Sequence, residues 1–119
     1  MYLRTSTVAA GLVLALASVS PSLAADARKE ASAHVAFGIS VAQKGLWREA
    51  VYQWEKAVEI DPTYAAAWND LGVAYEHEGQ LDKAKQAYEK AVAADGANTQ
   101  IRQNYELFKE IHDRVKKAR

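Results

Sequence analysis

From Ala31 onward, hydrophobic and polar positions follow a helical rhythm, and no stretch alternates with the two-residue period of a strand. Breaks fall at regular intervals: Gly45, Asp61-Pro62, Gly79 and Asp95-Gly96. Gly45 and Gly79 stand where a helix-ending residue in the left-handed region is wanted, and the Asp-Pro and Asp-Gly pairs interrupt the chain again. This punctuation predicts four helices, at about 30–44, 47–60, 65–78 and 81–94. Asn98 or Thr99 can cap a fifth, running toward Val115.

The breaks are periodic because the chain repeats itself at an offset of 34 residues. Gly38 returns as Gly72, Gly45 as Gly79, Ala50 as Ala84, and Glu55-Lys56-Ala57-Val58 as Glu89-Lys90-Ala91-Val92. Self-similarity of this length, carried by small residues and short helices, is the signature of an all-α, helix-turn-helix repeat solenoid. Each unit buries its apolar side only against its neighbours. The expected first unit is 31–64 and the second 65–98, with 99–119 a capping helix ending in a basic tail. In that last segment Ile101, Tyr105, Phe108 and Val115 form an apolar stripe with Leu107 and Ile111 beside it. The intervening Gln103, Glu106, Lys109, Glu110 and Asp113 are polar.

The residues of the second unit carry a family resemblance. Trp68, Leu71, Gly72 and Tyr75, followed by Ala84, Tyr88 and Ala91, resemble the tetratricopeptide-repeat pattern Trp-x-x-Leu-Gly-x-x-Tyr, then Ala-x-x-x-Phe/Tyr-x-x-Ala. Gly96 stands where the family usually has Pro. The first unit matches at Phe37, Gly38, Ala50, Trp54, Ala57 and Pro62, and departs at His34 and Val41. The resemblance, to a small secreted bacterial type, implies that Gly38 and Gly72 allow close helix approach opposite Ala50 and Ala84. Phe37, Trp47, Trp54, Leu71, Leu81 and Tyr88 are expected to fill the gaps beside them.

The same resemblance implies that the first helix of each unit lines a concave groove. The partner-groove residues expected on that basis are Val35, Ile39 and Ala42 from the first unit, and Asn69, Asp70, Val73 and Glu76 from the second. One subgroup of the family clamps a terminal carboxylate with Lys, Asn and Arg. Here the corresponding places hold Val35, Ile39, Asp70, Gln100 and Asn104, so the clamp is absent. An extended or helical segment with apolar anchors and a basic group suits such a groove.

The first residues read differently. Arg4, an apolar core from Val8 to Val19, then Pro21 and Ser22-Leu23-Ala24 describe a secretory signal peptide over residues 1–24, with cleavage after Ala24. The alternative is an uncleaved membrane anchor, although the core is shorter than the ~18 apolar residues a bilayer span needs. Residues 25–30 read as a charged linker. The location implied is secreted, periplasmic in a bacterium.

Composition narrows the chemistry. Fifteen basic residues balance 15 acidic ones, and losing Arg4 leaves one acid in excess, which gives nucleic acid no electrostatic invitation. With no cysteine there are no disulfides and no thiolate metal sites. His34, His77 and His112 are scattered, and Glu76-His77-Glu78 points in successive directions around a helix, so no metal set is expected. No nucleophile elbow or glycine-rich phosphate loop is present. The expectation is a non-enzymatic adaptor without cofactor or metal, which takes a protein or peptide partner in its groove. Self-association into dimers or stacked arrays is the alternative, since solenoids generally need three or more repeats.

Overall fold

The structure is a computed structural model that describes residues 18–119. Five helices follow in order: α1 (Pro21–Ala42), α2 (Trp47–Ile60), α3 (Ala65–His77), α4 (Leu81–Ala94) and α5 (Thr99–Lys117). Among the described residues no strand is formed. The helices pair as antiparallel hairpins, α1 with α2 and α3 with α4, and the hairpins stack through α2 against α3. Helix α5 closes the stack against α4, with a lighter contact to α3. The architecture is the helical-repeat solenoid that the sequence predicts.

The turn within each hairpin is built the same way twice. Gly45 at φ +79° and Gly79 at φ +73° reverse the chain without the steric cost a Cβ would bring. After Gly45, the Leu46 amide donates to the Val41 carbonyl at 3.0 Å; after Gly79, the Gln80 amide donates to the Tyr75 carbonyl at 2.8 Å. These bonds satisfy helix-end carbonyls that would otherwise lack partners.

The hairpins close on small residues. Ala31, Ala50, Ala57, Ala67, Ala74, Ala84 and Ala91 are buried, with Trp54, Leu71 and Tyr88 filling the volume between them. A Cβ added to Gly38 would lie 2.4 Å from the Trp54 indole nitrogen, and one added to Gly72 would lie 2.7 Å from the Tyr88 ring. The two glycines therefore each seat an aromatic ring of the paired helix, one turn beyond the buried Ala50 and Ala84. Phe37 also departs from expectation: it is 55% exposed and lines the outer end of the first hairpin, not the core.

Helix α1 begins at Pro21, well before the expected start near residue 30. Residues 25–30 are thus helical rather than a linker. The reason is local: no glycine or proline interrupts Ser22 to Phe37, and most residues in that run favour helix. Ser20 caps the start, its hydroxyl accepting from the Leu23 amide at 3.4 Å, and Pro21 occupies the first turn where its missing N–H costs nothing. Arg28 then ties this first part of the helix to the turn between α2 and α3. Its Nε donates to Asp61 Oδ2 at 2.5 Å, its Nη2 donates to Thr63 Oγ1 at 3.2 Å, and its guanidinium lies 4.4 Å from the Tyr64 ring centroid. Burial alone would raise the Asp61 carboxyl pKa, but bonds from Thr63 and Arg28 outweigh it and hold the group below the usual carboxylate range. Of the residues read as a signal peptide, 1–17 lie outside the described residues.

Candidate functional site

Helix α1 packs on α2 and α2 on α3, which leaves an open seam between α1 and α3. Ile39 and Ala42 of α1, with Gln43 just past its end, face Asp70 and Val73 of α3 across a groove of about 330 Å³. Trp47 and Trp54 of α2 complete its wall. Ile39 is 43% exposed and Val73 38%, so two large apolar side chains stand open to water across one groove.

Of the seven groove residues expected from the sequence, four meet here: Ile39, Ala42, Asp70 and Val73. Val35 does not. It is 6% exposed and sits with Ala31 and Gly38 on the stripe of α1 that faces α2, where its carbonyl accepts the Trp54 indole N–H at 3.2 Å. Val35 is therefore core, one helical stripe away from Ile39. Asn69 is also buried, and its Oδ1 accepts from Asn104 Nδ2 at 3.0 Å, joining α3 to α5. Glu76 belongs to the next seam. There it lines a second groove of about 230 Å³ with Leu81, Phe108, Ile111, His112 and Val115, and its Oε2 accepts from the Tyr88 hydroxyl at 2.9 Å. Val115, expected on the packed side of the capping helix, is 45% exposed at this second groove.

The two grooves share equivalent positions one repeat apart, with different chemistry. Glu76 and Leu81 line the second where Ala42 and Trp47 line the first. The first is consequently the more apolar and aromatic. Trp47 and Trp54 are the functional candidates that the sequence reading assigned to the core alone. The available signal was the offset comparison itself, which pairs Trp47 with Leu81 at the start of the second helix, beside the seam. In the structure the Trp47 ring packs against His77 with centroids 4.3 Å apart and planes tilted by 30°, and only part of it is buried.

Asp70 gives the groove its one charge. Burial among apolar neighbours pushes its carboxyl pKa up to about 6 from 3.8. Among the described residues, no side chain hydrogen-bonds or ion-pairs with that carboxylate. This differs from Asp61, which is held by Arg28 and Thr63. It differs equally from Glu76 and Glu55, which take the hydroxyls of Tyr88 and Tyr75.

A third depression surrounds Trp68, but the chain fills its own chemistry there. The Trp68 indole donates to the Pro62 carbonyl at 2.8 Å, and Lys90 Nζ lies 4.2 Å from the ring centroid. Among the described residues no three His, Asp or Glu side chains gather as a metal site.

Paired helices with glycine-seated aromatics, repeating at a fixed offset and leaving a groove between first helices, define a helical-repeat interaction module. Residues 54–86 match the tetratricopeptide-repeat family. That span is therefore a tetratricopeptide repeat. It is 35% identical over 86 residues to the chloroplastic tetratricopeptide repeat domain-containing protein PYG7 of Arabidopsis thaliana, covering 72% of this chain and 28% of that protein. It is 34% identical over 76 residues to the type IV pilus assembly protein PilF of Pseudomonas aeruginosa, covering 64% of this chain and 30% of that protein. The chain thus spans less than a third of the length of these relatives. Its fold is similar to the C-terminal tetratricopeptide-containing domain of an FK506-binding protein from Plasmodium falciparum, with a TM-score of 0.67 and 24% identity over 87% of this chain and 70% of that one. Domains of this kind generally mediate protein–protein interactions and are generally not enzymes. Among the described residues no helix is long and apolar enough to cross a membrane.

Proposed function

We propose that this chain is a secreted or periplasmic adaptor that holds a segment of a protein partner in the groove between α1 and α3. The observation that carries this reading is the pair Ile39 and Val73, which recur on the first helices of successive hairpins and remain exposed across one groove. Apolar side chains kept open on a stable scaffold gain most when a partner covers them, at roughly 25 cal/mol per Å² removed from water. Replacing Ile39 and Val73 with Ser is expected to weaken partner capture at least tenfold, about 1.4 kcal/mol, while the thermal midpoint stays close to wild type. Leu71→Ser, in the buried seam, should lose fold and capture together. Unfolding by Ile39→Ser and Val73→Ser would sink the groove reading, as would capture that survives both substitutions.

The location rests on the apolar run Val8–Val19 and the small residues Ser22 and Ala24, and the similarity to a pilus assembly protein fits an envelope setting. Cleavage after Ala24 would remove the Ser20 cap and the first turn of α1 but leave Arg28 on the mature side, still tied to Asp61. N-terminal sequencing of exported protein should therefore read Ala25 first. Material that retains Met1 and sediments with membranes would make the protein anchored instead.

Self-association is the second reading, and one observation favours it. The first hairpin and the last helix both expose apolar side chains: Phe37 and Tyr52 on the one, and Leu107 on α5. A head-to-tail contact between such ends would extend the solenoid across copies.

A further inference from the structure

The α1–α3 groove combines features that rarely sit together without a reason. Its walls are apolar and aromatic, yet a carboxylate lies in it with no partner among the described residues. Asp70 is part-buried, and its oxygens stay open to the groove, where a counter-charge can reach them. The other half-buried carboxylates in the stack are already held by Arg28, Tyr75 and Tyr88.

We propose that the groove is a pocket for a cationic side chain of the partner. An ammonium or guanidinium seats against the Asp70 carboxylate, while its methylenes and the flanking apolar residues of the same segment lie on Ile39, Trp47 and Val73. This deepens the adaptor reading and rests on it. Charge complementarity selects the occupant: a carboxylate or phosphate would meet Asp70 with like charge, and a purely apolar segment would leave it uncompensated. The polarity is opposite to that of a carboxylate-clamping groove. An aromatic ring beside the carboxylate adds attraction for a cation through its negative face.

The pocket also makes capture depend on pH. From α1 and just past its end the facing residues are Ile39, Ala42 and Gln43, from α2 Trp47 and Trp54, and from α3 Val73, none of them charged. The imidazole beside them is His77, packed against Trp47. With its carboxyl at about 6 in the free protein, Asp70 is ionised in neutral solution and protonated in mild acid. A bound cation favours the ionised form, so capture releases a proton when it occurs at or below that range, and weakens as pH falls.

The smallest probes that separate charge from greasiness are hexylammonium, 1-hexanol and hexanoate. Each is titrated against the full folded chain while the indole N–H resonances of Trp47 and Trp54 are followed by NMR. At about pH 7.5 hexylammonium is expected to bind about tenfold more tightly than hexanol, with hexanoate weakest. That preference should vanish near pH 5, and at both pH values in Asp70→Asn, whose folding is checked by its retained Trp resonances. Equal binding of ammonium and alcohol at neutral pH would overturn cation selection while leaving the groove intact. Failure of all three probes to move the Trp47 signal would remove the groove itself. A pH dependence that persists in Asp70→Asn would assign the titration to His77 and overturn the role of Asp70. Concentration-dependent shifts without any probe, lost in Asp70→Asn, would place the basic end of a second copy's α5 in the pocket and overturn a separate partner.

Discussion

Gly72→Ala is expected to lower the stability of the domain by about 2 kcal/mol, although alanine is the better helix former by about 1 kcal/mol. The new Cβ would stand 2.7 Å from Cδ1 and Cε1 of Tyr88 and 2.9 Å from its Cγ. That ring has little freedom to move aside. Tyr88 is only 1% exposed, its hydroxyl is tied to Glu76 at 2.9 Å, and Phe108 packs against it with centroids 5.3 Å apart. The clash must therefore spread into the α3–α4 contact, and Gly72→Leu should be worse. Gly79→Ala serves as the contrast. Nothing lies within 4 Å of its added Cβ, so only the left-handed backbone at φ +73° opposes it, at roughly 1 kcal/mol. Urea denaturation of the three variants distinguishes the cases: a midpoint for Gly72→Ala equal to or above wild type would mean that the Tyr88 ring yields freely.

These two glycines mark what the sequence makes legible. The 34-residue offset locates α2, α3, α4 and the end of α1, since it records where small residues and turn residues must recur. Offset says which positions are equivalent, but not which side of a helix they face. Val35 and Ile39 are one turn apart and both aliphatic, yet Ala31, Val35 and Gly38 form the stripe against α2 while Ile39 faces the groove. Only the crossing of α1 over Trp54 decides between them. The start of α1 was obscured for a different reason. Charge at Asp26, Arg28, Lys29 and Glu30 reads equally as linker or as a solvated helix face, and the Arg28–Asp61 pair that settles it spans 33 residues of sequence. Trp47 likewise reads as core because tryptophan usually is. Its exposure follows from the open seam at the start of α2, where the next repeat has the smaller Leu81.

Asp70→Asn is expected to stabilise the folded chain at neutral pH, and to do so less and less as the solution is acidified. The sign follows from linkage. The folded carboxyl titrates at about 6 and the unfolded one near 3.8, so between those values the folded state holds a proton that the unfolded state has released. Stability is therefore full below about pH 4, falls as pH rises through the window, and levels off above about pH 6. At 1.36 kcal/mol per pKa unit the ionised Asp70 opposes folding by up to about 3 kcal/mol at neutral pH. Asparagine keeps the shape without the charge and should recover much of that, with no gain near pH 4. A series of denaturation midpoints from pH 4 to 8 tests this, and parallel curves for wild type and variant would show that Asp70 is hydrated rather than desolvated. A carboxylate that weakens its own fold while lining an exposed groove gains its counter-charge only when a cation arrives. The same substitution should therefore raise stability and abolish preference for a basic segment, a trade-off that a purely structural residue would not produce.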